Sequence, residues 1–95
     1  MLNHIVMFKF PQRDPHTAQT LKDKLMTLPD QINEIRHYEV GINMVAGDSA
    51  YDVVLISRFD SLETLHAYQI HPAHMAVLDY IREVTNHIVK VDFEA

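Results

Sequence analysis

Apolar residues are concentrated in four short stretches of the chain, a pattern typical of β-strands. The stretches cover residues 2–10, 35–44, 51–59 and 86–93, and each is rich in branched or aromatic residues. Pro11 ends the first, because proline cannot donate a hydrogen bond to a neighbouring strand. The pattern therefore predicts four strands.

Helix signals separate these strands. Asp14 precedes a proline and can cap a helix whose leucines recur at helical spacing until Pro29, where we expect it to stop. Residues 60–63 form a capping pattern, Asp-Ser-Leu-Glu, with the glutamate at or near the third helical position. A residue before proline avoids the α region, so the chain should bend at Pro72 before a further helix over about 72–84.

The resulting order is β-α-β-β-α-β with a kinked second helix. This order predicts an α+β fold of the ferredoxin-like type. Ninety-five residues are enough for one hydrophobic core and too few for two. We therefore expect a single domain over residues 1–95.

The predicted sheet has apolar residues on both faces. The first strand alternates between two apolar sets, and the third contains four consecutive apolar residues at 53–56. Helices on one side can cover only one face, and exposing the other would cost about 25 cal/mol per Å² of apolar surface. We therefore expect a homodimer with opposed sheet faces. The alternative is that Lys9, Arg58 and Lys90 shield the second face.

Charge and composition narrow the possible partners. The formal net charge is −5, and the eight Lys and Arg residues form no cluster, which argues against nucleic acid and anionic membranes as partners. The chain has no cysteine, so it can form neither disulfides nor thiolate sites. No apolar run approaches the roughly 18–20 residues of a membrane span, and the first residues contain no targeting leader. We expect a cytoplasmic, soluble protein.

Three of the seven histidines lie within residues 66–74. The apolar residues of the last predicted helix form one continuous arc that includes His74, so its side chain should point toward the sheet. Tyr68 lies at the edge of the inward face of the preceding helix. Such residues are either hydrogen-bonded parts of the core or functional groups, and spacing alone leaves both open. Because the bend at Pro72 separates His71 and His74 from His66, we expect no metal site.

Four segments of the chain match a known family. They are residues 4–10, 51–55 and 89–93 and, most specifically, the motif Tyr-x-x-His-Pro-x-His at 68–74. Through these segments the chain resembles the stress-responsive dimeric α+β barrel family (Dabb) over nearly its whole length. The resemblance implies a ferredoxin-like monomer whose sheet pairs with that of a second copy to form a dimeric α+β barrel.

The resemblance also implies candidate site residues. Around the motif the chain is similar to a plant polyketide cyclase of this family, in which a tyrosine and a histidine corresponding to Tyr68 and His74 act on the substrate. The first-strand histidine of that enzyme matches His4, and His71 of the motif is a further candidate for binding. The cyclase has another histidine on its third strand, where this chain has Val53.

Two functions follow from these residues. The first is a stress-associated homodimer that binds a small molecule in a pocket between sheet and helix, without turnover. The second is a cofactor-free enzyme of the cyclase or lyase type. In it His74, with an unperturbed pKa of about 6.5, is the general base, and the hydroxyl of Tyr68 stabilises an oxyanion. The chain has two glycines and no phosphate-binding loop, so we expect no nucleotide or flavin cofactor.

Overall fold

The computed structural model describes residues 1–95 as four strands and three helices. The strands pair antiparallel in the order β2-β3-β1-β4, and the helices pack on one face of this sheet. The predicted ferredoxin-like α+β fold is confirmed. The elements along the chain are β1 (Leu2–Lys9), α1 (Pro15–Leu25), β2 (His37–Ile42), β3 (Val53–Phe59), α2 (Leu62–Gln69), α3 (Pro72–Val84) and β4 (His87–Glu94).

The second and third strands are shorter than predicted, because the chain leaves the sheet at Asn43. Its side-chain amide donates to the carbonyl of Tyr51 (2.6 Å), and its carbonyl oxygen accepts from the backbone N–H of Val45 (2.9 Å). Such local bonds compete with strand pairing. Met44, expected in the second strand, is instead 88% exposed in the connecting loop.

The helix starts predicted at Asp14 and within residues 60–63 are both present, with differences in detail. Asp14 caps α1 by accepting from two backbone N–H groups, but the helix ends at Leu25 and tighter turns carry the chain on to Pro29. At α2 the capping partner of Ser61 is Thr64, not Glu63: the backbone N–H of Thr64 donates to Oγ of Ser61 (3.2 Å). The helix therefore starts one residue later than the sequence pattern indicated.

The bend between α2 and α3 lies at His71 and Pro72, as predicted, and α3 has the predicted bounds. The backbone of His71 is extended, with φ −63° and ψ 136°, which suits a residue before proline. Its Nδ1 accepts a hydrogen bond from the backbone N–H of Ala73 (3.0 Å). This bond satisfies one of the free donors at the start of the helix. His71 is therefore the N-cap of α3.

The face of the sheet opposite the helices is apolar and uncovered. We call it the outer face; its central residues are all half-buried or exposed, namely Ile5, Met7, Val54, Ile56, Val89, Val91 and Phe93. Charged residues do not shield its centre. Nε of Arg58 donates to Asn3 (3.0 Å) at one end, Nζ of Lys9 donates to Ala50 (3.1 Å) at the other, and Lys90 lies on the helix-covered inner face.

Buried apolar residues of the inner face, of α1 and of α3 form one core. Leu21, Leu28 and Phe59 have no measurable exposure. The core therefore lies wholly on one side of the sheet.

None of the three helices combines the length and apolarity that crossing a bilayer requires.

The capping role of His71 makes a testable prediction. We expect His71→Ala to lower the free energy of unfolding by about 1 kcal/mol, because the N–H of Ala73 loses its acceptor. For a domain of this size that corresponds to a fall in Tm of about 4–8 °C. His71→Asn should restore the stability, since asparagine is a preferred N-cap. Thermal unfolding by circular dichroism measures both, and a failure of asparagine to rescue the alanine variant would contradict the capping role.

Candidate functional site

A cavity of about 150 Å³ lies between the inner face of the sheet and α3. Most of its wall is apolar, with side chains from β1, β3, α3 and the end of α1. Four ionisable side chains reach it: His4, Tyr68, His74 and Lys90. The structure thus brings three of the four candidate residues together in one cavity. The fourth, His71, does not line it.

His4 is held by a carboxylate on the neighbouring strand. It is buried on β1, directly opposite Asp92 of β4, and its Nδ1 hydrogen-bonds to Oδ1 of Asp92. Because a carboxylate only accepts, Nδ1 carries the proton and Nε2 is left as the free nitrogen. Nε2 has no hydrogen-bond partner within the protein. Because every fully buried side-chain nitrogen and oxygen does have a partner, Nε2 is not fully buried and is accessible from the cavity that His4 lines.

Tyr68 is almost fully buried and packs against both histidines. Its ring centroid lies 4.5 Å from that of His74 and 6.4 Å from that of His4. Its hydroxyl is 2.8 Å from the hydroxyl of Tyr38 on β2. Burial raises the pKa of Tyr68 to about 12 and also raises the pKa of Tyr38. Both phenols are therefore protonated at neutral pH. One O–H donates to the other hydroxyl, and the second O–H of the pair is not used in that bond.

His74 is half-buried at the first turns of α3. Its Nδ1 donates to the carbonyl of Gln69 at the end of α2 (3.0 Å). Burial lowers the pKa of His74, the bond to Gln69 opposes that shift, and His4 and His71 lower the pKa further. The imidazole is therefore neutral at pH 7, with its lone pair on Nε2. No other hydrogen bond occupies that nitrogen, which makes it available as an acceptor or a base.

No group of three metal-ligating side chains comes together anywhere in the chain. His66 is exposed on α2, His71 caps α3 and His74 faces the cavity. The kink between α2 and α3 therefore directs these three imidazoles to different places.

Three residues that shape the site were not predicted from the sequence to belong to it. Asp92 orients His4, Tyr38 pairs with Tyr68, and Lys90 lines the cavity. Asp92 and Lys90 interrupt the apolar run of the last strand, and this interruption was an available signal. Its meaning depends on the pairing of β4 with β1, which places both side chains on the inner face.

A second and larger groove, of about 300 Å³, lies away from these residues. It opens on the outer face beside Met7, Gly41 and Val54, and its only ionisable group is Tyr51. The lack of convergent polar groups makes it a poorer candidate for chemistry. We therefore treat it as part of the outer face.

Several known proteins are similar to this chain in sequence or in structure. An uncharacterised protein of Streptomyces coelicolor is 30% identical, with 99% of each chain covered. A stress-response A/B barrel domain-containing protein of Arabidopsis thaliana is 28% identical over the whole chain, which spans 47% of that longer protein. The crystal structure of a dimeric protein of ferredoxin-like fold from Bacteroides fragilis has a TM-score of 0.89 and 32% identity, covering 99% of this chain and 95% of its own.

The family model of the stress responsive A/B barrel domain matches residues 2–95, which is almost the complete sequence. This agrees with the four matching segments, with the strand order and with the helix kink at the histidine motif. The chain belongs to the Dabb family, the stress responsive A/B barrel domain.

Proposed function

We propose that this protein is a homodimer that binds a small, largely apolar molecule in the cavity between sheet and α3. One observation carries the proposal. His4 and His74 each use Nδ1 for a bond within the protein and leave Nε2 free at the same cavity. A core that only satisfied its own polar groups would not need two ring nitrogens without partners beside an apolar space.

The size of the cavity sets the size of the ligand. A cavity of about 150 Å³ accommodates a group the size of benzene, as in engineered protein cavities. A hydroxyl on such a ring could donate to Nε2 of His74, while a carbonyl could accept from the Tyr38–Tyr68 pair. A longer molecule would have to extend through the mouth. The proposed ligand is therefore a single-ring compound, or the ring of a larger one.

A second candidate function is proton transfer at a carbon next to a carbonyl group, without a cofactor. The neutral state of His74 favours it, because a base must be unprotonated to act. Nε2 of His74 would remove the proton, the electron pair would move to the carbonyl oxygen, and the hydroxyl of Tyr68 would stabilise the enolate. The Tyr38 bond restricts that hydroxyl, so binding without turnover remains our first proposal.

We further propose that the outer faces of two copies pack against each other. The support is the uncovered apolar surface at the centre of that face, together with the dimeric state of the Bacteroides fragilis protein. The absence of cysteine supports a cytoplasmic location, as expected for a chain without disulfides. The family name associates this domain with stress, and a role in stress is part of the proposed function.

Ligand binding can be tested with phenol and toluene, two probes of one-ring size. We expect phenol to bind with a Kd on the order of 1 mM and to shift backbone amide signals of α3 and β1 in NMR titrations. Toluene should bind more weakly, because it cannot donate to His74. His74→Ala should weaken phenol binding at least fivefold, and its fall in Tm should not exceed that of His71→Ala, because each variant loses one hydrogen bond to the backbone.

The matched control is His66→Ala, which removes an exposed histidine of α2 and should leave phenol binding intact. Tyr68→Phe is a poor probe, since it leaves the buried hydroxyl of Tyr38 without its partner and should cost about 1–3 kcal/mol of stability. If His74→Ala destabilises by a comparable amount and neither probe shifts any signal, His74 is structural and the proposed binding function is wrong.

Assembly can be tested by a charge on the outer face. We expect light scattering to give about twice the 11.0 kDa of one chain, with an interface above about 1,000 Å². Val91→Glu should yield monomers, because it would bury a charge between the sheets. Val45→Glu, at a similarly exposed position in the loop after β2, should remain dimeric. A Val91→Glu protein that stays dimeric would place the interface elsewhere.

The second candidate function predicts exchange of the methyl protons of acetophenone in D₂O, followed by NMR. Burial lowers the pKa of His74 below 6.5, and only the neutral imidazole is a base. The enzymatic rate should therefore rise as pH increases through that lowered pKa and be level near pH 7. His74→Gln should abolish it, and His66→Gln should not. Exchange no faster than in buffer would reject this candidate while leaving simple binding untouched.

A further inference from the structure

Lys90 places a positive charge at the mouth of the cavity. It lies on β4 opposite Val6, one step along the inner face from Asp92, and its side chain is 60% exposed. This position lets the ammonium group meet both solvent and a molecule entering between β4 and α3. β4 is an edge strand of the sheet, so no further strand blocks the approach to the cavity on that side.

The charges around the cavity favour a negative ligand. Its ionisable lining consists of His4, Tyr68, His74 and Lys90, and it includes no carboxylate. Lysine is positively charged at pH 7, and neither tyrosine nor histidine carries a negative charge there. A cavity with this lining in a chain of net charge −5 is a local exception to the overall electrostatics.

Asp92 is the nearest acid, and it does not remove this preference. Its Oδ1 is bonded to His4, and its Oδ2 lies 3.6 Å from Nζ of Lys90, which is longer than a hydrogen bond. Lys90 donates to no other group in the structure. Because the Lys90 side chain is mostly exposed and the pair is longer than a hydrogen bond, it contributes little to stability. A ligand carboxylate could therefore bind the free N–H groups of Lys90 without breaking a strong contact.

We propose that the molecule bound in this cavity is a small organic monoanion, with its carboxylate on Lys90 at the mouth and its apolar part against Val6 and Leu78. This inference rests on the proposed binding function and adds the charge class of the ligand. Lys90 is the residue that determines specificity, and the two imidazoles face the body of the ligand.

Three probes of nearly equal shape test the charge preference: benzoate, benzamide and benzylamine, which are negative, neutral and positive at pH 7. We expect benzoate to bind roughly fivefold more tightly than benzamide, as one partly screened charge pair allows, and benzylamine to bind most weakly. Lys90→Gln should remove the difference between benzoate and benzamide, and Lys90→Arg should retain it. Lys24→Gln, which removes an exposed lysine of α1 outside the cavity, should behave like the parent.

The outcomes separate this inference from the function on which it rests. If phenol and benzamide bind and benzoate binds no better, the anion preference is wrong and the binding site stands. If Lys90→Gln leaves the preference for benzoate intact, a different group selects the anion and the assignment of Lys90 is wrong. If phenol and all three probes fail to bind, both proposals are wrong. A preference that Lys90→Gln removes and Lys90→Arg keeps supports the inference.

Discussion

The register between β1 and β4 determines what each face of this molecule contains. Side chains alternate between the two faces along a strand, so the pairing of His4 with Asp92 fixes the position of every other residue on β4. It directs Lys90 and Asp92 to the cavity, and Val89 and Val91 to the outer face. A slip of one residue would exchange the two sets and leave the buried His4 without its carboxylate partner. The His4–Asp92 bond opposes such a slip because it exists in one register only.

The polar groups under the helices form one connected arrangement rather than isolated defects. Tyr68 is in the middle, with Tyr38 on its hydroxyl and the rings of His4 and His74 against its own ring. Every buried side-chain nitrogen and oxygen in the chain has a partner. This satisfaction limits the stability cost of burying polar side chains in a core of this size. The nitrogens left free are those that face the cavity, where a ligand or water can reach them.

Local signals predicted the parts of the site that depend on neighbouring residues. The direction of His74 followed from the apolar arc of α3, and Pro72 fixed both the kink and the start of that helix. The end of β2 and the start of β3 were missed because the bonds of the Asn43 side chain override strand propensity. Asp92 and Tyr38 could not be assigned, since their partners lie 88 and 30 residues away and strand order is needed to connect them. His71 shows a different limit: its motif position suggested binding, whereas in the structure its Nδ1 caps α3 and its side chain does not line the cavity.

The two faces of the sheet are connected through β4, and this connection links the two proposals. All residues of β4 except Asp92 are exposed, so in a single chain the strand is held mainly by its backbone pairing with β1. Its inner face supplies Ile88 and Lys90 to the cavity wall, while its outer face carries Val91 and Phe93. Packing of a second copy on the outer face would bury those two side chains and restrict movement of the strand. The cavity would then have a fixed wall and mouth, which reduces the ordering cost of binding a small ligand. Dimer formation would therefore strengthen ligand binding without the partner touching the ligand, and by linkage the ligand would stabilise the dimer to the same degree.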